Sequence, residues 1–262
     1  MRKFYKIFNC IGLYRPSLFA YRHFVPLLNY FSFLADYVHF KRKEKMHNKR
    51  FSLSYCNTYP CLSDKKKMSG FDRHYIYHLA WASYIIRQIN PAVHVDISSS
   101  LHFCTQLSAF IPVEFYDFHK ADIELPNLQV GHANLTELVF ADHSIHSLSC
   151  MHVVEHIGLG RYGDELDYDG DLKAFAELER VLAGGGNLLI VVPVGAPTIM
   201  FNAHRIYSVE QILSIFKRLE LVEFSLIPEA PAEGALVKNP PKDLLDKQTY
   251  ACGCFWFKKN DL

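Results

Sequence analysis

Chemistry-bearing residues concentrate in one run, C-M-H-V-V-E-H-I-G-L-G-R-Y-G-D, from Cys150 to Asp164. A histidine needs little tuning to exchange a proton near neutral pH, which makes His156, with His152 and Glu155 beside it, a candidate for acid–base work. Arg161 can clamp a carboxylate or phosphate through two parallel hydrogen bonds, and Asp164 adds a second polar group to the same loop. His152 to His156 also reads H-x-x-E-H, an inverted zinc-peptidase pattern whose function needs both histidines on one helix. Gly158, Gly160 and Gly163 follow at once and favour a loop instead. Metal-assisted hydrolysis through His152 and His156 therefore stands as an alternative, and no metal centre is expected. Cys252 and Cys254 fall on one strand face, but two ligands do not make a structural zinc site.

Three further candidates fall at successive strand ends, where an open α/β sheet collects its ligands. Asp96 precedes Ser98, Ser99 and Ser100, whose hydroxyls and helix-terminal N–H groups suit a nucleotide-like ligand; a plain strand-to-helix cap explains the serines equally. Asp117 ends the next apolar segment and can accept two ribose hydroxyls. Asn134 stands one segment further on. Asn202, His204 and Arg205 follow a later strand and converge on the same crevice, or else form the approach to a helix.

The elements that must position these groups alternate. Ile76, Leu79, Ala80, Ser83, Ile86 and Ile89 recur at helical spacing from Arg73 to Ile89, and Asn90-Pro91 ends the pattern. Short apolar strands are expected at His94–Ile97, Val113–Tyr116, Leu128–Gly131 and Ser147–Met151, with a helix from Leu101 to Ala109. Leu172, Phe175, Leu178, Val181 and Leu182 mark a helix that Gly184-Gly185-Gly186 should terminate. Asn187–Val192 reads as an interior parallel strand, apolar throughout because helices cover both faces. Ser208 and Gln211 form a capping box before another helix. Leu221–Leu226 and Ala251–Phe257 complete the strands, and residues 228–249 read as a loop.

The 262 residues suffice for one large α/β domain with an appendage. Charge is divided unevenly: residues 1–50 hold eleven of the 28 Lys and Arg residues but only Asp36 and Glu44 of the 27 acids. We expect a basic, aromatic-rich extension over 1–69 and an acidic body over 70–262. The extension suits either a solvated charge run or peripheral contact of residues 1–50 with an anionic membrane. Lys6, Arg15 and Arg22 interrupt any segment able to span a bilayer. Nucleic acid is not an expected partner, since the basic run carries no recognition element. Seven cysteines without a C-x-x-C pair indicate reduced thiols and a cytoplasmic setting, with membrane-peripheral placement as its variant.

V-D-I-S-S-S, V-E-F-Y-D, A-N-L-T-E-L-V-F-A-D-H-S-I, the Cys150–Asp164 run, L-K-A-F-A-E-L-E-R-V-L-A-G-G-G-N-L-L-I-V-V-P-V-G and F-N-A-H-R-I-Y-S together resemble the DUF268 family. That family is in turn similar to class I S-adenosylmethionine-dependent methyltransferases, and the likeness runs from about Gly70 to Lys259. It implies a Rossmann-like α/β sheet of about seven mostly parallel strands, the last antiparallel. It places Asp96 near the methionine portion of S-adenosylmethionine, Asp117 on the ribose and Asn134, through its amide oxygen, on the adenine amino group. The Ser98–Ser100 turn stands where glycines are usual, and Met151 and His152 complete the cofactor side.

The resemblance therefore implies methyl transfer to a small or saccharide-like acceptor, through a hydroxyl. His156 or His204 serves as base, and Arg161, Asp164, Asn202 and Arg205 bind substrate. The rival is a degenerate domain that keeps the sheet and binds a sugar nucleotide or a protein without transfer.

Overall fold

The computed structural model describes residues 16–46, 51–62 and 70–261. The chain divides into two compact units at Gly70/Phe71. In the first, helix α1 (Pro16–Glu44) ends in Lys41, Arg42 and Lys43, cations that complement the negative end of the helix dipole. Residues 51–62 return along it: Lys41 Nζ donates to the Leu53 carbonyl at 2.6 Å and Asn29 Nδ2 to that of Leu62 at 2.8 Å. Leu27, Leu28, Phe31, Val38 and Phe40 remain exposed on α1. No helix among the described residues is long and apolar enough to cross a membrane. The bases at positions 2, 3, 6, 15, 49 and 50, part of the membrane-contact expectation, lie outside the described residues.

The second unit opens with α2 (Arg73–Ile89), capped by Asp72, whose side chain accepts from the Tyr75 N–H. Asn90 closes it in the left-handed conformation (φ 45°), which asparagine tolerates better than most residues. The buried face is His78, Trp81, Ala82, Ile85 and Ile86, while Ile76 is 54 % exposed. The stripe is thus rotated from the expected one. Trp81 decides it: its ring has the largest area to bury on this helix, and its Nε1 donates to Glu223 at 3.0 Å.

The remaining elements follow in order: β1 (His94–Ile97), α3 (Leu101–Leu107), β2 (Val113–Asp117), β3 (Leu128–His132), β4 (Ile145–Met151), α4 (Gly170–Val181), β5 (Leu182–Val194), β6 (Thr198–Met200), β7 (His204–Ile206), α5 (Val209–Ile215), β8 (Leu219–Ile227), β9 (Val237–Lys238), α6 (Lys242–Leu245) and β10 (Ala251–Lys259). Eight strands form one sheet in the order β3-β2-β1-β4-β5-β10-β8-β9. The first five pair in parallel, and β10 runs antiparallel between β5 and β8. The eighth strand, β9, is two residues long and arises in the stretch expected to be a loop. β6 and β7 make a separate hairpin.

Alternation along the strands builds two cores. Leu188, Ile190 and Val192 of β5 join Phe255 and Phe257 of β10 on one face, packed under α4 and α5. Leu189 and Val191 join Cys252, Cys254 and Trp256 on the other, under α2 and α3. A period of two sends successive side chains to opposite faces, so a sheet covered by helices on both sides is apolar at every position. Phe175 of α4 is fully buried, edge-on to Tyr207 and Phe216.

Of two expected terminal features, the structure departs from one and forms the other. Gly184–Gly186 do not end α4: Leu182 is already extended, and the glycines sit inside β5 where its register with β4 shifts between Ile145 and Ser147. Gly185 takes φ 68° there, which a bulged strand allows to glycine at no steric cost. The capping box does form: Ser208 Oγ accepts from the Gln211 N–H at 3.2 Å and Gln211 Oε1 from the Ser208 N–H at 2.9 Å. Ser208→Ala is expected to lower stability by about 1 kcal/mol, measured by urea unfolding.

Candidate functional site

Parallel registry brings four strand ends to one rim. Ile97 aligns with Tyr116, Asp117 with His132, and Asp96 with Ser149. β1 has β2 on one side and β4 on the other, so strand order reverses there, the place where open α/β sheets bind ligands. A cavity of about 940 Å³ opens at this rim, and Ser98, Asp117, Asn134 and His152 line it with residues 156–158 and 162–167.

Asp117 is half-buried, and its Oδ1 accepts from the His119 N–H at 3.0 Å. Ser98 adopts φ 58°, so the chain keeps at this turn a left-handed backbone that glycine would take more easily. Its N–H donates to the Tyr116 carbonyl at 2.8 Å. Ser99 faces inward: its N–H donates to Asp96 and its Oγ accepts from the Met151 N–H at 2.9 Å. Ser100 occupies the N-cap position of α3 without a side-chain capping bond.

Three placements revise the expected cofactor contacts. Asp96 lies beneath the cavity, wholly buried, accepting from the Ser99 N–H and from the Ser149 hydroxyl. Burial raises its pKa to about 6, against the pull of those hydrogen bonds. Met151 is also wholly buried, in the core under α2 and α3. Asn134 is exposed on the rim, but its Oδ1 already accepts from the Thr136 N–H and hydroxyl, at 3.1 and 2.9 Å. Two donors use both lone pairs of that oxygen, which leaves the Nδ2 amide to a ligand.

A second cavity, about 290 Å³, is lined by Asp72, His74, Tyr75, His152, Glu155, His156, Arg161, Tyr162, His204 and Tyr250. His152, His156 and Tyr162 belong to both. Val154–His156 is a single 3-10 turn, so H-x-x-E-H has no helix on which to share a face. His152 (φ 57°) instead donates through Nδ1 to Glu155 Oε1 at 2.8 Å, and Glu155 Oε1 lies 3.8 Å from His156 Nε2. Burial lowers His152 to about 4 and raises Glu155 to about 7, so the histidine is neutral at pH 7.

His156 donates through Nδ1 to the Ala203 carbonyl at 2.6 Å, which leaves Nε2 with its lone pair. Burial lowers its pKa, and His204, whose ring lies against Tyr250 with centroids 5.0 Å apart, is lowered for the same reason. Arg161 is exposed, donates to the Ala203 carbonyl at 3.0 Å and lies over the Tyr162 ring.

The other three expected substrate-binding residues are placed differently. Asp164 lines the larger cavity, but its oxygens accept from the N–H groups of Gly158, Gly160 and Tyr162 and so shape the loop. Gly158 is required there: at φ 78° an added Cβ would collide with the Asp167 backbone oxygen. Arg205 is 5 % exposed and donates to the carbonyls of Ile157 (2.6 Å) and Tyr168 (3.0 Å), with Asp171 at 3.5 Å. It clamps the loop from beneath. Asn202 is exposed at the β6–β7 turn and lines neither cavity.

Sequence reasoning missed His74, Tyr75 and Tyr250. His74 and His78 are four residues apart on α2, a spacing that puts two side chains on one helix face, and that was the available signal.

Comparison with known proteins adds the family. Residues 136–235 match the one described as Caenorhabditis protein of unknown function, DUF268. The matched segment is 100 of the 262 residues. It carries β4, the 152–164 loop, α4, β5, the β6–β7 hairpin, α5 and β8, hence one wall of both cavities. No curated protein matches the sequence. A chain from the complex between the Haloferax volcanii Trm112 methyltransferase activator and a provisionally assigned methyltransferase is similar in structure, with TM-score 0.50 and 14% identity over 73% of this chain and 91% of that one. Burkholderia thailandensis 1,6-didemethyltoxoflavin-N1-methyltransferase, solved with S-adenosylhomocysteine, gives TM-score 0.47 and 13% identity over 70% of this chain and 79% of its own. The body containing the matched segment has the Rossmann-like fold of class I methyltransferases.

Proposed function

We propose that this protein is an S-adenosylmethionine-dependent methyltransferase acting on a hydroxyl of a small or saccharide-like acceptor. The observation that carries this reading is the junction of two cavities at His152 and His156, one with Asp117 and Asn134 on its rim, the other ringed by histidines and tyrosines. Ligand pockets run from roughly 300 to 1,000 Å³, so the larger suits a cofactor and the smaller one ring or one end of an acceptor.

The residues fit the cofactor. The second Asp117 oxygen is available to ribose hydroxyls, and the Asn134 amide can donate to an adenine ring nitrogen. When bound, S-adenosylmethionine supplies an electrophilic methyl group. The chain's own task is to hold the acceptor oxygen in line with that group and remove its proton. His156 is suited to the second part: its Nδ1–H is tied to Ala203, so the neutral ring presents Nε2 as the proton acceptor. Tyr75, Tyr162 and Tyr250 provide ring faces, and Arg161 a cation at the edge, against which a sugar or its anionic substituent can rest.

Calorimetric titration with S-adenosylmethionine and S-adenosylhomocysteine tests the reading. Both should bind, and Asp117→Ala should weaken binding by roughly 10- to 150-fold, the worth of hydrogen bonds to a charged group. Folded protein that binds neither would instead be the degenerate domain, a reading favoured by the Ser98 side chain standing where glycine is usual.

A further inference from the structure

Beneath the smaller cavity, potential ligand atoms of His74, His152 and Cys252 all lie within 4.8 Å of one another. His152 Nε2 and Cys252 Sγ are 3.4 Å apart. At zinc bond lengths of about 2.3 Å to sulfur and 2.0–2.1 Å to nitrogen, tetrahedral geometry separates two such atoms by roughly 3.6 Å. The pair already has nearly the spacing of two ligands on one ion.

Two further observations point the same way. His152 gives its Nδ1–H to Glu155, which turns the Nε2 lone pair toward Cys252. A carboxylate holding the far nitrogen is the usual support of a metal-bound histidine. Around this ring, moreover, two buried polar atoms have no partner: Glu155 Oε2 and His78 Nε2. His78 is wholly buried, its ring edge-on to His152 with centroids 5.1 Å apart, and its Nδ1 is committed to the His74 carbonyl. Buried polar atoms are nearly always satisfied, so unpaired ones beside this ring mark it as a polar site.

We propose that His74, His152 and Cys252 bind a divalent transition-metal ion, zinc on the basis of the donor set, at the floor of the smaller cavity. Two imidazoles and one thiolate select zinc over magnesium or calcium, which take oxygen ligands. Three protein ligands leave a fourth position, and because His74 and His152 also line the cavity, that position faces it. Binding breaks the Cys252 S–H bond: the thiolate takes the metal and the proton leaves to solvent, one per ion bound. The His74 and His152 rings lie within 8° of parallel, so His74 must turn its ring to bind. The inference does not rest on methyl transfer.

The test uses untagged full-length protein, freed of metal with a chelator, dialysed and titrated with cobalt(II) under reducing conditions. One equivalent should bind, with a thiolate-to-cobalt charge-transfer band and the visible bands of a four-coordinate centre, displaced by zinc. Cys252→Ser should abolish the charge-transfer band, whereas Cys254→Ser should retain it. His74→Gln, at the least buried ligand, should weaken cobalt binding at least tenfold, and serves alone if Cys252→Ser does not fold. Glu155→Gln should weaken binding by roughly 10- to 100-fold while keeping the band. A folded wild-type protein without a thiolate band, a band that survives Cys252→Ser, or binding unaffected by His74→Gln would each overturn the site. S-adenosylhomocysteine binding measured on the same samples is a separate readout, so loss of one reading leaves the other standing.

Discussion

Arg205→Met is expected to destabilise the body by about 3–5 kcal/mol, the range for removing one partner of a buried ion pair. The guanidinium is enclosed between the β6–β7 hairpin and the loop leading into α4. It reaches the carbonyls of Ile157 and Tyr168 and the carboxylate of Asp171. Methionine fills similar volume but donates nothing. The carbonyls then lose their partner, and Asp171 keeps only its bond from the Tyr207 hydroxyl at 2.9 Å. Arg161→Met, on an exposed side chain of the same loop, should change stability by less than about 1 kcal/mol. Urea unfolding of the two variants separates the roles. An unchanged midpoint in Arg205→Met, with substrate affinity lost, would return Arg205 to the substrate and refute the clamp.

The second large effect concerns turnover. His156→Gln should lower kcat by roughly 10²- to 10⁴-fold, the usual worth of a positioned general base. It should weaken S-adenosylhomocysteine binding far less than it lowers kcat, because the proposed base acts on the acceptor although His156 also lines the larger cavity. The assay follows labelled methyl transfer from S-adenosylmethionine to a panel of monosaccharides and sugar nucleotides. The pH profile carries an independent sign. Burial holds the His156 pKa below its ordinary 6.5, so the base is lost only as pH falls through that lowered value. Activity should rise with pH across an acidic limb and be level at neutrality. In His156→Gln that limb should vanish. A variant that keeps full turnover and the limb, beside an inactive His204→Gln, would transfer the role to His204, whose ring centroid is 6.4 Å from that of His156.

Much of the scaffold could be read from local pattern. His94–Ile97, Val113–Tyr116 and Asn187–Val192 were legible as strands: the last is apolar at every position after Asn187 because helices cover both sheet faces, and the first two carry Val95 and Ile97, and Val113 and Phe115, around Asp96 and Glu114. The Ser208–Gln211 box was equally legible, since its hydrogen bonds join residues three apart. Local pattern fails where distant chain decides. Trp81 rotated the buried face of α2 because its partner, Glu223, comes from β8. The glycines after α4 were drawn into β5 by the register with β4.

The candidate site divides along the same line. Sequence alone determined which residue types gather at the strand ends, since Ser98, Asp117, Asn134 and His152 follow directly from where the strands stop. Only the tertiary structure decided which of their atoms remain free. Asp96 and Asn134 spend their oxygens on neighbouring groups, and Arg205 is enclosed by backbone carbonyls. It also brought His74 from α2 and Cys252 from β10 to His152, across 78 and 100 positions of chain. Spacing in a sequence records neighbours along one element. A hydrogen-bonding atom's availability, and a cluster of side chains from three distant segments, depend on packing between elements, which no single stretch encodes.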